Sequence, residues 1–272
     1  MLETLLFFAP IILAAALSGA ACSLVGFFLT NMRMPFMGVC LAHAALAGAL
    51  VGQFLGLPQW PFALAAATLT AGLVGPVADR GGVDLTVSLG ILFSFMMGIG
   101  FMLIGLMPGP RSEALGLIWG SVLFVRTADL LAMGTLFVAL LGFVALFDKE
   151  LRAILFNRRL AVSLGIRATL IFYLLLFLAG AVATVHLNIV GGLMLYGLLV
   201  SPAAAAKQLG RSYGSCLGLT VLIGVLGSLG GLALSYVLDV PTGASIVVVL
   251  SALFALSVPA GRIRRRAVCL ET

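Results

Sequence analysis

A succession of long apolar runs, nearly free of charge, constrains the fold of this 272-residue chain more than any other feature of its sequence. About 20 apolar residues in a helix match the hydrocarbon thickness of a bilayer. We place membrane-spanning segments at residues 5–30, 36–57, 60–78, 86–107, 129–147, 169–187, 189–206, 214–237 and 243–260. Barrel strands would alternate apolar and polar residues and be about half as long. The sequence therefore predicts an all-α, polytopic membrane protein with 8–9 transmembrane helices.

The composition excludes a soluble protein. Only 9% of the residues are charged, whereas about a quarter are charged in a soluble domain. Too few residues remain between the spans for a second, soluble domain, so we expect one transmembrane domain over residues 1–272. The net charge of +6 is interpreted as loop charge beside the lipid bilayer, and no nucleic-acid partner is expected. The four scattered cysteines predict no disulfide framework.

The positions of the basic residues predict the orientation, because Lys and Arg collect in cytoplasmic loops. If nine spans begin outside, all of the 15 Lys and Arg residues except Arg111 and Arg126 lie on the cytoplasmic side. We therefore expect a multi-pass protein of the cytoplasmic (inner) membrane, with its N-terminus outside and its C-terminus inside. The apolar run at 115–124 is too short to span and is interpreted as interfacial or re-entrant.

Motifs for catalysis are absent from the sequence. There is no G-x-x-x-x-G-K-[ST] phosphate loop and no H-E-x-x-H pair, so we expect neither ATP hydrolysis nor metalloprotease activity from this chain alone. Neither His43 nor His186 lies beside a G-x-S-x-G-type nucleophile turn. The chain is expected not to be an enzyme and to bind no cofactor directly.

His43 is nearly the only ionisable residue inside the predicted spans, which makes it a functional candidate. Cys40 lies three residues earlier, so both side chains are expected on one helix face. An imidazole and a thiol on one face could supply two ligands to a metal ion such as Zn²⁺. The alternative is a histidine bonded to a neighbouring helix beside a small packing cysteine.

The loop at 147–166 is amphipathic and lies on the predicted cytoplasmic side. It alternates charged and apolar residues and ends near a glycine, which is typical of a short helix that docks into a groove on a partner. A solvated linker on the membrane surface is the alternative. The candidate coupling residues are Asp148, Glu150, Leu151, Leu155, Arg158 and Gly165.

Glycines repeat every four residues in the second span, at Gly48, Gly52 and Gly56. Small residues at this spacing allow two membrane helices to approach closely. We interpret all three as helix-packing positions.

Four segments together resemble one family. Residues 36–48, which read F-M-G-V-C-L-A-H-A-A-L-A-G, are similar to the F-x-G-D-x-L-A/S-H-A-x-L-x-G stretch of permease subunits of zinc, manganese and iron ATP-binding-cassette (ABC) importers. Residues 190–206 resemble that family's V-G-x-L-L-x-x-x-L-L-x-x-P-A-A-T-A helix, and 239–248 its D-x-P-x-G-x-x-I-V turn. Residues 147–166 resemble its cytoplasmic F-D-x-x-x-A…G loop.

The resemblance implies a type II-like ABC permease that imports a transition metal, most readily zinc, with manganese or iron as further candidates. It implies a homodimer, a separate ATPase that binds ATP and docks on the 147–166 loop, and an extracytoplasmic metal-binding protein. The family's aspartate before the histidine is replaced by Val39, and the threonine of its P-A-A-T-A segment by Ala205. Only His43 carries over as a metal ligand, and the missing carboxylate weighs against manganese.

Two other functions stay open on these residues. Val39 is compatible with a permease of the same fold that carries a metal chelate or another small solute. A stand-alone secondary transporter or channel would need coupling-ion residues inside the membrane, and the spans offer few carboxylates.

Overall fold

The computed structural model describes residues 2–82, 84–107, 116–117, 120, 125–192 and 195–270, and within these ranges the regular structure is entirely helical. Eleven helices are described. They are α1 (Leu2–Asn31), α2 (Pro35–Phe54), α3 (Gln59–Gly81), α4 (Leu85–Leu106), α5 (Thr127–Leu146), α6 (Asp148–Phe156), α7 (Arg158–Ser163), α8 (Ala168–Val190), α9 (Leu195–Leu209), α10 (Tyr213–Leu238) and α11 (Thr242–Leu270).

Local sequence signals set several of these helix ends. Pro35 occupies the first turn of α2, where no backbone N–H donor is needed. Asp84 caps α4, because its side chain accepts a hydrogen bond from the Thr86 amide at 2.8 Å. Asp239 ends α10 in the left-handed conformation, at φ 53°.

Contacts between helices show which helix ends lie together at each end of the bundle. At one, called the Phe8 end, Phe8 of α1 packs on Tyr236 of α10 with ring centroids 5.6 Å apart. At the other, called the Thr30 end, the Lys207 ammonium of α9 donates a hydrogen bond to the Thr30 carbonyl of α1 at 3.2 Å. Gly261 of α11 also lies at the Thr30 end, against Gln208. The chain therefore begins near one end of the bundle and reaches its last helix turns at the other.

Helix α9 runs between the two ends of the bundle although it has only 15 residues. The segment before its start lies at the Phe8 end, because Gly120 lines the same pocket as Phe8 and Tyr236 and lies against the backbone of Val190 and Gly191. Its length is about 22 Å, shorter than the roughly 30 Å of a hydrocarbon core. A short helix is tolerated because α9 packs among α1, α10 and α11 rather than against lipid.

The predicted all-α membrane architecture is confirmed, with eight helices in the described ranges long and apolar enough to cross a bilayer. α9, predicted as the span 189–206, is a shorter passage because the chain bends at Gly191, at φ +87°. The predicted interfacial run at 115–124 lies mostly outside the described residues.

Helices α1 and α2 form the centre of the bundle. The membrane-crossing part of α2 is 83% buried, whereas that of α5 is 17% buried. Small residues allow the close packing: a Cβ at Gly26 of α1 would strike the Leu199 backbone of α9. His43 therefore lies on the most enclosed of the spanning helices.

Candidate functional site

His43 lies on the side of α2 that faces α4 and is 4% exposed. Its ring packs edge-on against Phe93 of α4, with ring centroids 4.8 Å apart. Its Nδ1 is 2.9 Å from the Val39 carbonyl oxygen, one turn back on α2. Because a carbonyl only accepts, Nδ1 carries the proton, and the neutral ring presents the lone pair of Nε2. Metal-binding histidines are commonly oriented by such a bond from the other ring nitrogen.

His43 lines a small cavity between α2 and α4. Nε2 has no hydrogen-bond partner within the part of the chain that the structure describes. The cavity measures about 20 Å³, enough for one water-sized occupant. Its other lining residues come from the two helices: Leu46, Ala47, Leu50, Met96, Met97, Gly100, Phe101 and Ile104.

Cys40 also faces α4, as its spacing from His43 predicts. Its thiol donates a hydrogen bond to the Leu89 carbonyl at 2.9 Å, which gives it a packing role in this conformation. Among the described residues, no group of three or more His, Cys, Asp and Glu side chains is placed to hold a metal ion. The cavity instead adds two methionines, Met96 and Met97, which sequence spacing could not connect to α2.

A second buried histidine repeats the geometry of the first. His186 of α8 is fully buried, and its Nδ1 is 2.8 Å from the Val182 carbonyl oxygen. Its Nε2 also has no partner in the described ranges. Sequence analysis predicted that His186 lies in the span 169–187 but assigned it no role.

The predicted helix in the 147–166 loop is present as two short helices, α6 and α7. Leu151 is fully buried and Ile154 nearly so, and both pack into the core of the bundle. Leu155 is half-buried against the same core. Leu151 and Leu155, predicted as coupling residues, therefore anchor α6 to its own chain in this structure. A helical pattern reveals an apolar face but not what that face contacts.

The exposed apolar residues of this segment are different ones. We call them the α6–α7 apolar surface: Phe156, Leu160, Val162 and Leu164, with exposures of 85%, 51%, 52% and 68%. The amphipathic pattern of the predicted loop includes Leu160, but none of the four was predicted as a coupling residue.

The charged coupling candidates lie on the same two helices, α6 and α7. Asp148 forms an ion pair with Arg152 at 2.8 Å, and Glu150 is half-buried. The Arg158 guanidinium lies over the Phe172 ring of α8, 4.3 Å from its centroid.

Gly165 ends α7 in a conformation that favours glycine, at φ +82°. Its amide donates to the Val162 carbonyl, and the next amide donates to the Ala161 carbonyl, which is the Schellman pattern of a helix C-terminus. The glycine thus shapes the loop instead of presenting a contact.

Two of the three predicted packing glycines bring α2 against α3. A Cβ on Gly48 would strike the Phe62 backbone, and one on Gly52 would come within 3.1 Å of Gln59. Gly56 lies beyond the end of α2, at φ +67°, and none of the described residues lies within 4 Å of a Cβ placed there. Within the described part of the chain it terminates the helix, and its assignment as a packing residue stays a prediction.

Comparison with known proteins identifies the family. The model of the ABC 3 transport family matches residues 4–260 of this chain. The chain belongs to the ABC 3 transport family. Its predicted resemblance to ABC metal-importer permeases is thereby confirmed.

Members of known transport systems are similar to it over most of its length. It is 33% identical to the manganese transport system membrane protein MntC of Halalkalibacterium halodurans, over 90% of this chain and 84% of the relative. It is 26% identical to the high-affinity zinc uptake system membrane protein ZnuB of Haemophilus influenzae, over 91% and 96% respectively. The solved structure of PsaBC from Streptococcus pneumoniae in complex with Fab matches with a TM-score of 0.85 and 26% identity, covering 94% of this chain and 93% of that chain.

Proposed function

We propose that this chain is the permease subunit of an ABC importer that moves a transition metal ion across the cytoplasmic membrane. The match of the family to residues 4–260 carries the proposal. ATP hydrolysis is assigned to separate ATPase subunits, since the sequence holds no phosphate-binding loop.

The Thr30 end of the bundle is assigned to the cytoplasm. The basic residues Arg33, Arg152, Arg158, Lys207 and Arg211 belong to loops and helix ends on that side, which the positive-inside rule places inside the cell. This assignment puts the N-terminus outside and the C-terminus inside.

The α6–α7 apolar surface is the proposed docking site for the ATPase. Four apolar side chains are exposed within nine residues of α6, α7 and the turn that follows, and a water-facing segment rarely keeps so many without a partner. The buried Leu151 and Ile154 fix that patch to the permease core, so movement of the ATPase could reach the membrane helices.

A second copy of the chain and an extracytoplasmic metal-binding protein complete the proposed transporter. The transport pathway would run between the two copies and alternate between outward and inward access. The metal-binding protein would deliver its ion at the Phe8 end.

Zinc is the proposed cargo in preference to manganese, although relatives named for both metals are similar to this chain. The cavity is lined by His43 and two methionines, and the family's aspartate is replaced by Val39. Soft nitrogen and sulfur donors favour zinc or monovalent copper, whereas manganese prefers oxygen. The small volume of the cavity also suits a bare ion better than a chelate.

The test is metal-stimulated ATPase activity and uptake by the complete complex in lipid vesicles, with Zn²⁺, Mn²⁺, Fe²⁺ and Cu⁺ compared. Zinc is expected to stimulate both activities more than manganese does. The double variant Met96→Leu/Met97→Leu should reduce that preference while retaining uptake. Met102→Leu, an exposed position on the same helix, is the matched control. No stimulation by any metal would refute the importer, and a preference for manganese would refute the zinc assignment alone.

A further inference from the structure

An arginine of α6 reaches across the Thr30 end of the bundle to another membrane helix. The Arg152 guanidinium lies over the ring of Tyr213, the first residue of α10, 4.5 Å from the ring centroid. Asp148, one turn earlier on α6, holds the same guanidinium at 2.8 Å. The Arg152 guanidinium therefore forms an ion pair within its own helix and a cation–π contact with α10.

The contact continues from α10 into α1. The Tyr213 ring packs edge-on against Phe27, with centroids 5.4 Å apart and planes at 74°. Phe27 in turn packs against Phe28, which is fully buried at the centre of the bundle. One chain of side chains thus joins a surface helix to α10 and to the central helix α1.

This connection does not follow from chain connectivity. Helix α6 is joined in sequence to α5, whereas Tyr213 begins a helix more than 50 residues later. If α6 moves with an ATPase, its covalent neighbours carry the movement to α5 and α7, and packing is needed to carry it directly to α10 and α1. Packed side chains transmit coupling when the element they join has two arrangements.

We propose that Arg152 and Tyr213 form a clamp that transmits ATP-driven movement of α6 to α10 and α1. Both are positioning residues: they act on the transport pathway through the helices they join. The inference rests on the proposed function, because it requires an ATPase that docks on α6 and α7.

The experiment measures metal imported per ATP hydrolysed by the complete complex in lipid vesicles. Tyr213→Leu removes the aromatic face, and Arg152→Gln removes the cation at a side chain that is 56% exposed. Both variants should assemble with the ATPase and hydrolyse ATP, while the import-to-hydrolysis ratio falls about fivefold. Tyr213→Phe keeps the aromatic face and should keep the ratio.

Tyr236→Leu is the matched control. It removes the same kind of ring from the same two helices, since Tyr236 of α10 packs on Phe8 of α1, but at the opposite end of the bundle. Its ratio should stay at the wild-type value. If the import-to-hydrolysis ratio fell to a similar extent in Tyr213→Leu and Tyr236→Leu, the effect would reflect general helix packing and would overturn the clamp.

An unchanged ratio in assembled Arg152→Gln would also overturn it, and this surface variant decides the question if Tyr213→Leu fails to fold. Wild-type complex without metal-stimulated hydrolysis would instead refute the proposed function. The two failures are therefore distinguishable.

Discussion

Truncation of Phe156 should separate docking from folding. The side chain is 85% exposed, so Phe156→Ala removes almost no contact within the chain and should leave thermal stability unchanged. If the ring is buried against the ATPase, its removal costs about 2 kcal/mol of binding free energy, the usual range for a large apolar side chain. That loss corresponds to roughly 30-fold weaker binding.

The assay is the dissociation constant between purified ATPase and permease held in lipid nanodiscs. Phe95→Ala is the matched control, because Phe95 is 60% exposed on the membrane-spanning helix α4 and should not contact an ATPase. Equal affinity of wild type and Phe156→Ala would refute the docking surface. A large drop in thermal stability would show instead that Phe156 supports the fold.

Three further outcomes are expected. His43→Ala should abolish metal uptake at matched expression, whereas Cys40→Ala should retain it because the thiol is bonded to a backbone carbonyl; normal uptake in both variants would exclude the metal site. Gly48→Ala should destabilise the detergent-solubilised protein more than Gly56→Ala, since the first clashes with the Phe62 backbone and the second costs about 1 kcal/mol for its positive φ; equal melting temperatures would contradict this. The substituted residue in Arg264→Cys should react with a membrane-impermeant thiol reagent only in inside-out vesicles. Labelling in intact cells would contradict the predicted orientation.

The membrane helices could be predicted from the sequence because a lipid environment demands long apolar runs, which no loop of a water-soluble protein imitates. Gly48 and Gly56 show where pattern reasoning stops. Both belong to a series of glycines spaced four residues apart, but only Gly48 lies inside α2. The end of the helix, which lies between them, depends on backbone conformation.

The contacts of α6 depended on tertiary structure in the same way. The amphipathic pattern predicted a short helix with an apolar face but could not show that Leu151 faces its own bundle. Arg152 and Tyr213 are far apart in sequence and look like ordinary loop-end residues. Met96 and Met97 are likewise indistinguishable from packing methionines until α4 is seen beside His43.

The sparse donor set at His43 has a consequence for how an ion would pass. A cation inside an apolar helix pair is costly unless ligands or water surround it, and the described cavity has room for about one small occupant. Neutral nitrogen and thioether donors would hold a soft ion briefly without the strong attraction of a carboxylate. Conduction requires binding that is favourable enough for entry and weak enough for release. Replacement of the family's aspartate by Val39 would therefore shift the site towards softer ions while keeping release fast, and Val39→Asp should raise manganese uptake relative to zinc.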